Sequence, residues 1–148
     1  MRSILIFSMA LFFAPLVQAQ GAIENLSGAA TNALNAIRAQ HGLAALRADK
    51  KLTRASAVHA EDMVKKGFFS HTGSNGSTIG KRARKQRYKF CVISENIAKG
   101  QKDLDQVLTS WMGSPGHRQN ILNADVTDFA LVRGSGDVWV MMLGRSGC

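Results

Sequence analysis

The chain has 148 residues, a formal net charge of +9, 45% hydrophobic residues and two cysteines. That length fits one domain able to bury a core without disulfide or metal staples. No segment after the amino-terminal residues approaches the run of about 20 apolar residues that spans a bilayer.

The amino terminus reads as a secretory signal. Arg2 supplies a positive start, an apolar stretch runs from Ile4 to Val17, and Val17-Gln18-Ala19 places small or permissive residues at a cleavage position. Residues 1–19 are therefore expected to be removed, and 20–148 to form a single domain that is secreted or periplasmic, with no transmembrane segment left. Without Arg2 the charge falls from +9 to +8 on 129 residues, 148 less 19. An even cysteine count in an oxidising compartment argues for a Cys91–Cys148 disulfide, which stabilises by roughly 4 kcal/mol on the chain-entropy view.

Leu26, Ala29, Ala30, Leu34 and Ile37 recur at helical spacing, and Gly42 stops the run. Asp49 is a good N-cap for a second helix with Leu52, Ala55 and Met63 on one side and Gly67 at its end. His59 within it reads as a partly buried packing or capping residue, and His41 as a partner of the first helix's dipole. Residues 72–77 form a glycine- and serine-rich loop. Thr78 caps a third helix that carries Ile79, Ala83 and basic residues, and Phe90 to Ile93 is a β-like run ending at Ser94-Glu95-Asn96. Asp103 caps a fourth helix with Leu104, Val107, Leu108 and Trp111 on one stripe, Trp111 being core. Ser114-Pro115 starts a fifth helix. Phe129–Val132 and Val138–Leu143 flank Gly134-Ser135-Gly136-Asp137 as a hairpin. Helices first and strands last suggest an α+β fold with helices packed on a small antiparallel sheet.

Three contexts place titratable groups beside glycine, serine or a helix start: Phe69-Ser70-His71, Ser94-Glu95-Asn96, and Gly113-Ser114-Pro115-Gly116-His117-Arg118. Brought together, they would make one polar cavity for a divalent metal or another ligand. The basic run gathers Lys81, Arg82, Arg84, Lys85, Arg87 and Lys89, either a solvated helix face or a patch for an anionic surface. Few aromatics interleave with it, so stacking on nucleic-acid bases is unsupported.

Five pieces carry a family resemblance: Leu34-Asn35-Ala36-Ile37-Arg38-Ala39-Gln40-His41-Gly42-Leu43, His59-Ala60-Glu61-Asp62-Met63, Phe69-Ser70-His71, Glu95-Asn96-Ile97-Ala98-Lys99-Gly100, and Trp111 through Leu122. In that order they resemble the CAP superfamily of cysteine-rich secretory proteins, venom allergens and plant pathogenesis-related proteins, in particular its short bacterial members. The resemblance implies a three-layer α-β-α sandwich and an exported domain. It also implies a cleft with two histidines, His71 and His117, and two acids, of which Glu95 is the first. Ser114 stands near where the larger members have the second acid, which weakens any mechanism needing both. Ala130 stands where the resemblance leads one to expect glycine, a difference of packing.

Two neutral imidazoles can bind Zn2+, and Glu95 could then act as general base on a bound water, the outline of a metal-dependent hydrolase or peptidase. Two protein ligands are one short of the usual catalytic set. The same residues, with Ser70, Ser114 and Arg118 around them, could instead form a hydrogen-bonded cleft that binds a lipid, glycan or protein. Ser70, Ser94 and Ser114 lack a nucleophile-elbow pattern. Arg118 reads either as part of an anion-binding corner at the fifth helix or as a surface ion-pair partner. Three functions follow: an exported ligand-binding module, a metal-assisted hydrolase, or a structural or defensive scaffold acting through its basic surface.

Overall fold

Along the strands Asp128–Gly134 and Val138–Ser146, alternate side chains part company. Phe129, Leu131, Trp139, Met141 and Leu143 enter one apolar cluster, while Ala130, Val132, Val138, Val140 and Met142 enter two others. Successive strand residues point to opposite faces of a sheet, so a strand buried on both faces must feed two cores. The fold is therefore three layers deep, as the family resemblance implies.

The computed structural model describes residues 22–147. The expected signal segment 1–19 and Cys148 lie outside the described residues. In chain order the elements are β1 (Glu24–Asn25), α1 (Ser27–Ala39), β2 (Arg47–Ala48), α2 (Lys50–Lys66), α3 (Ile79–Lys85), β3 (Phe90–Lys99), α4 (Leu104–Met112), α5 (Pro115–Ile121), β4 (Asp128–Gly134) and β5 (Val138–Ser146). The sheet runs β1-β4-β5-β3, with β2 parallel to β4 and the long pairings antiparallel. Helices α1, α4 and α5 cover one face through Ala30, Leu34, Val107, Leu108, Trp111 and Ile121. Helices α2 and α3 cover the other through Leu52, Ala55, Ala60, Met63 and Ala83. Among the described residues no helix is long and apolar enough to cross a membrane.

Local chemistry sets the helix boundaries. Asp49 accepts hydrogen bonds from the backbone N–H groups of Lys51 and Leu52, and Gly67 takes the left-handed conformation (φ 67°) that ends α2. Thr78 and Asp103 cap α3 and α4 in the same way. Ser114 occupies the N-cap of α5 without a side-chain cap bond, and Pro115 follows it in the first turn.

Two expectations need correction. The third strand does not end at Ser94-Glu95-Asn96 but continues to Lys99, because Ile97 and Ala98 pair with Val140 and Trp139. Glu95 thus sits in mid-strand rather than in a loop. Strands β1 and β2, two residues each, were invisible to periodicity.

Buried Asp128 organises the far end of the sheet. It accepts from Tyr88 Oη at 2.7 Å and Arg47 Nε at 2.6 Å. Burial, then the bond to Asp128, pushes the Tyr88 phenol well up from its ordinary range. Tyr88 reaches across β5 only because residue 144 is glycine: a Cβ there would lie 2.9 Å from the ring. Ala130, where glycine was expected, packs wholly buried among Leu52, Ala55 and Met142.

Candidate functional site

Strand β3 is the last strand of the sheet, and its alternation deals residues to both faces. Glu95 shares parity with Ile93 and Ile97, which face α2 and α3; Asn96 and Ala98 face α4 and α5. Each face then contributes its own half of the site.

On the first face Glu95 is 3% exposed and its side chain is fully buried. Arg82 of α3, itself 5% exposed, meets both carboxylate oxygens through Nη2, at 3.0 and 2.8 Å. A carboxylate removed from water must be compensated by charge and hydrogen bonds, and this guanidinium does both. The same Nη2 donates to the His71 carbonyl at 3.0 Å, and Nη1 to the Ser77 carbonyl at 2.8 Å. Arg82 was expected in a surface patch with Lys81, Arg84, Lys85, Arg87 and Lys89. That expectation fails: the other five are exposed, but Arg82 turns inward as the counter-charge of Glu95.

His71 lies in the loop after α2. Its Nδ1–H donates to Glu95 Oε1 at 2.9 Å, while half of the side chain (49%) remains exposed. With the proton on Nδ1, the neutral ring keeps its lone pair on Nε2. Several bonds fix this loop. His59 Nε2–H donates to the Ser70 carbonyl at 2.9 Å. Asp62 accepts from Ser74 N–H at 2.8 Å and from its hydroxyl at 2.6 Å. Ser70 is exposed, and its Oγ accepts from the Thr72 N–H.

His59 is fully buried and lies 3.7 Å from Glu95 through Nε2. Its pKa is lowered, first by burial, with Glu95 pulling it up and Arg82 pushing it down. The sequence reads it as a partly buried packing or capping residue, and it is wholly buried. What the sequence did not show is its proximity to Glu95.

On the second face, Asn96 Nδ2–H donates to the His117 carbonyl at 3.0 Å, and Asn96 Oδ1 accepts from Asn120 at 2.8 Å. Buried Asn96 thus fastens α5 to the strand that carries Glu95. Trp111 Nε1–H donates to the Ile97 carbonyl at 3.3 Å, covering the edge strand. Arg38, fully buried, closes the other end of α5 by donating to the Ile121 and Asn123 carbonyls at 2.7 and 2.9 Å. A cation on the last carbonyls of a helix is favourable for the dipole as well as for hydrogen bonding.

The His117 ring packs 6.4 Å from Trp111, centroid to centroid. Its pKa is lowered, first by burial and then by the nearby His71. Arg118 points elsewhere: its Nη2 donates to His41 Nε2 at 3.1 Å, and His41 Nδ1–H donates to the Ile37 carbonyl at 2.8 Å. Ser94 Oγ is buried without a hydrogen-bond partner among the described residues. A separate hollow of about 460 Å³ between α1 and α4 is lined by Ala33, Ile37, His41, Leu108 and Met112 among others, and includes neither His71 nor Glu95.

A three-layer sandwich, with helices on both faces of a small antiparallel sheet, defines an α-β-α domain class. The cysteine-rich secretory protein family (CAP) matches this chain over residues 31–141. The chain belongs to that family. It is 34% identical over 106 residues to the Bacillus subtilis (strain 168) protein "Uncharacterized protein YkwD", spanning 71% of this chain and 41% of that one. The chain thus spans about two fifths of that relative's length. A solved SCP-domain extracellular protein from Bacillus anthracis is similar at 28% identity and a TM-score of 0.76, over 81% of this chain and 40% of its own. An outer surface protein from Borrelia burgdorferi shares the fold at 22% identity and a TM-score of 0.77, over 86% of this chain and 99% of its own.

Two predictions follow from the geometry. Glu95→Gln strands the Arg82 charge in the interior, and is expected to cost about 3 kcal/mol or more in urea denaturation. His71→Ala removes a half-exposed partner and should cost under about 1 kcal/mol; equal losses would contradict the burial difference. His59 and His117 are both held below the ordinary histidine value of 6.5. Below pH 6.5 the unfolded chain binds protons that the folded chain refuses. Their contribution to stability is therefore complete above pH 6.5 and is lost as pH falls through the folded-state values. Urea midpoints between pH 7.5 and 5 should fall in wild type and fall less in His117→Ala; parallel curves would contradict the assignment.

Proposed function

We propose that this protein is a secreted or surface-located CAP-domain module that binds a ligand through the paired imidazoles of His71 and His117, rather than a hydrolase. The observation that carries this reading is the state of Glu95. A general base needs a lone pair within reach of a substrate proton or a bound water. Here both carboxylate oxygens are engaged by Arg82, one also by His71, and the side chain is fully buried. Glu95 then acts as an orienting group, holding the His71 ring in one tautomer with Nε2 turned into an acceptor. The extracellular and outer-surface proteins that share this fold support a location outside the cytoplasm.

Zinc fits this donor set poorly. His71 and His117 offer two imidazole nitrogens, and among the described residues no group of three His, Cys, Asp or Glu is placed to hold an ion. Structural and catalytic zinc sites use four and three protein ligands. His71 and His117 would hold the ion with solvent completing the shell, so zinc binding is weak and no hydrolytic step is routed through it. A His71 ring with its Nε2 lone pair outward suits a ligand that donates hydrogen bonds, such as the hydroxyls of a glycan or a lipid head group, or a protein surface.

The Cys91–Cys148 disulfide belongs to the same proposal. Phe90 pairs with Ser146, and Cys91 Sγ lies 3.5 Å from the Arg145 carbonyl, which brings the end of β5 beside Cys91. Thiol titration of the unfolded, unreduced protein should find no free thiol; two reactive thiols would remove the crosslink.

The test compares wild type, Glu95→Gln and His71→Ala/His117→Ala on casein and purified cell wall for turnover, and on glycan and lipid panels for saturable binding. The expected result is no turnover by any form, with binding by wild type that the double histidine variant loses. Wild-type turnover that disappears in Glu95→Gln would overturn the binding-module reading in favour of the hydrolase.

A further inference from the structure

We propose that the corner between α2 and α3 is a binding site for a small tetrahedral oxyanion, a phosphate or sulfate group, held by Lys81 and Lys85 beside the buried guanidinium of Arg82. This inference is independent of what binds at His71 and His117.

A cavity of about 100 Å³ opens there, lined by Asn75, Ser77, Lys81, Arg82, Lys85 and Gln86 against the apolar side of α2. That is room for about three waters' share of liquid volume. It admits the head of a phosphate or sulfate ester, with the rest of the molecule left outside. No acidic residue lines it.

Every polar group around the cavity has a donor to offer. Lys81 and Lys85 are exposed and one turn apart on α3, where like charges repel and an anion between them relieves the repulsion. Asn75 Oδ1 is taken by the Ser77 N–H at 3.0 Å, and Gln86 Oε1 by Arg54 Nε–H at 3.4 Å. Both amides therefore keep their NH2 ends for another acceptor. Arg82 lines the same cavity. Both of its Nη groups are engaged, yet its Nε is buried with no hydrogen-bond partner among the described residues. A buried N–H on a residue 5% exposed is costly to leave unpaired. Donors converge from Lys81 and Lys85 of α3, from Gln86 and from loop 72–77, which suits three oxygens of a tetrahedral group better than the two of a planar carboxylate.

The experiment uses 15N-labelled protein and inorganic phosphate, titrated at constant ionic strength while the Arg82 Nε–H resonance is followed. The exposed residues Lys81 and Lys85 are replaced together (K81Q/K85Q), leaving Arg82 and the Glu95 pair intact. The control, K50Q/K51Q, removes the same charge from exposed positions at the start of α2. The expected result is a saturable one-site shift of the Arg82 resonance, weakened at least about tenfold in K81Q/K85Q and unchanged in the control. Phenyl phosphate binding at least as tightly as inorganic phosphate assigns the site to a phosphorylated or sulfated molecule; tighter binding of the inorganic ion assigns it to the free ion. Absence of saturation, or equal weakening in both double variants, means diffuse attraction to a basic surface and overturns the site.

Discussion

The ion pair between Arg82 and Glu95 is the constraint around which the rest of the site is arranged. Neither group is at the surface, and taking two charges out of water is expensive unless each is bonded well. Arg82 meets that condition with four contacts on one guanidinium: two carboxylate oxygens, the His71 carbonyl and the Ser77 carbonyl. Its bonds therefore join α3, the middle of β3 and both ends of loop 71–77. The His71 ring inherits its direction from this arrangement, because Oε1 of the same carboxylate receives its Nδ1–H. The geometry is better explained as orientation of an imidazole than as activation of a carboxylate.

The second imidazole is held by a different device. Asn96 lies one residue after Glu95 and so points to the opposite face, where it bonds the His117 carbonyl and Asn120. One strand thus positions both halves of the site, Glu95 for the α2–α3 side and Asn96 for the α5 side. Arg38 then fixes the far end of α5, and its cationic group sits among carbonyls rather than beside an acid. Burial pushes its pKa down, though an arginine retains its charge in proteins. These polar pins lie where an apolar contact would not fix direction, and direction is what the proposed recognition surface of two small rings requires.

Much of the fold was legible in the sequence because its signals are local. Asp49, Thr78 and Asp103 announced helix starts, Gly67 a helix stop, and Gly134 to Asp137 a hairpin. Strand β3 was cut short because Glu95 and Asn96 look like loop residues; only their pairing with Met142 and Met141 makes them strand. His71, Glu95 and His117 stood out by context, but Arg82 was hidden in a run of like charges. A usable signal existed: Arg82 falls three residues after Ile79 and beside Ala83, on the buried stripe of α3. His59 likewise shares the stripe of Leu52, Ala55 and Met63, and its nearness to Glu95 depends on which strand α2 crosses. That is tertiary information, which spacing along one helix does not contain.

The claim that Glu95 orients rather than activates is tested most directly on the His71 ring itself. Ring 15N shifts and couplings of selectively labelled protein near pH 7.5 report which nitrogen carries the proton. The account predicts the Nδ1–H tautomer in wild type, with that preference lost in Glu95→Gln. A wild-type ring protonated on Nε2, or one exchanging freely between tautomers, would contradict it.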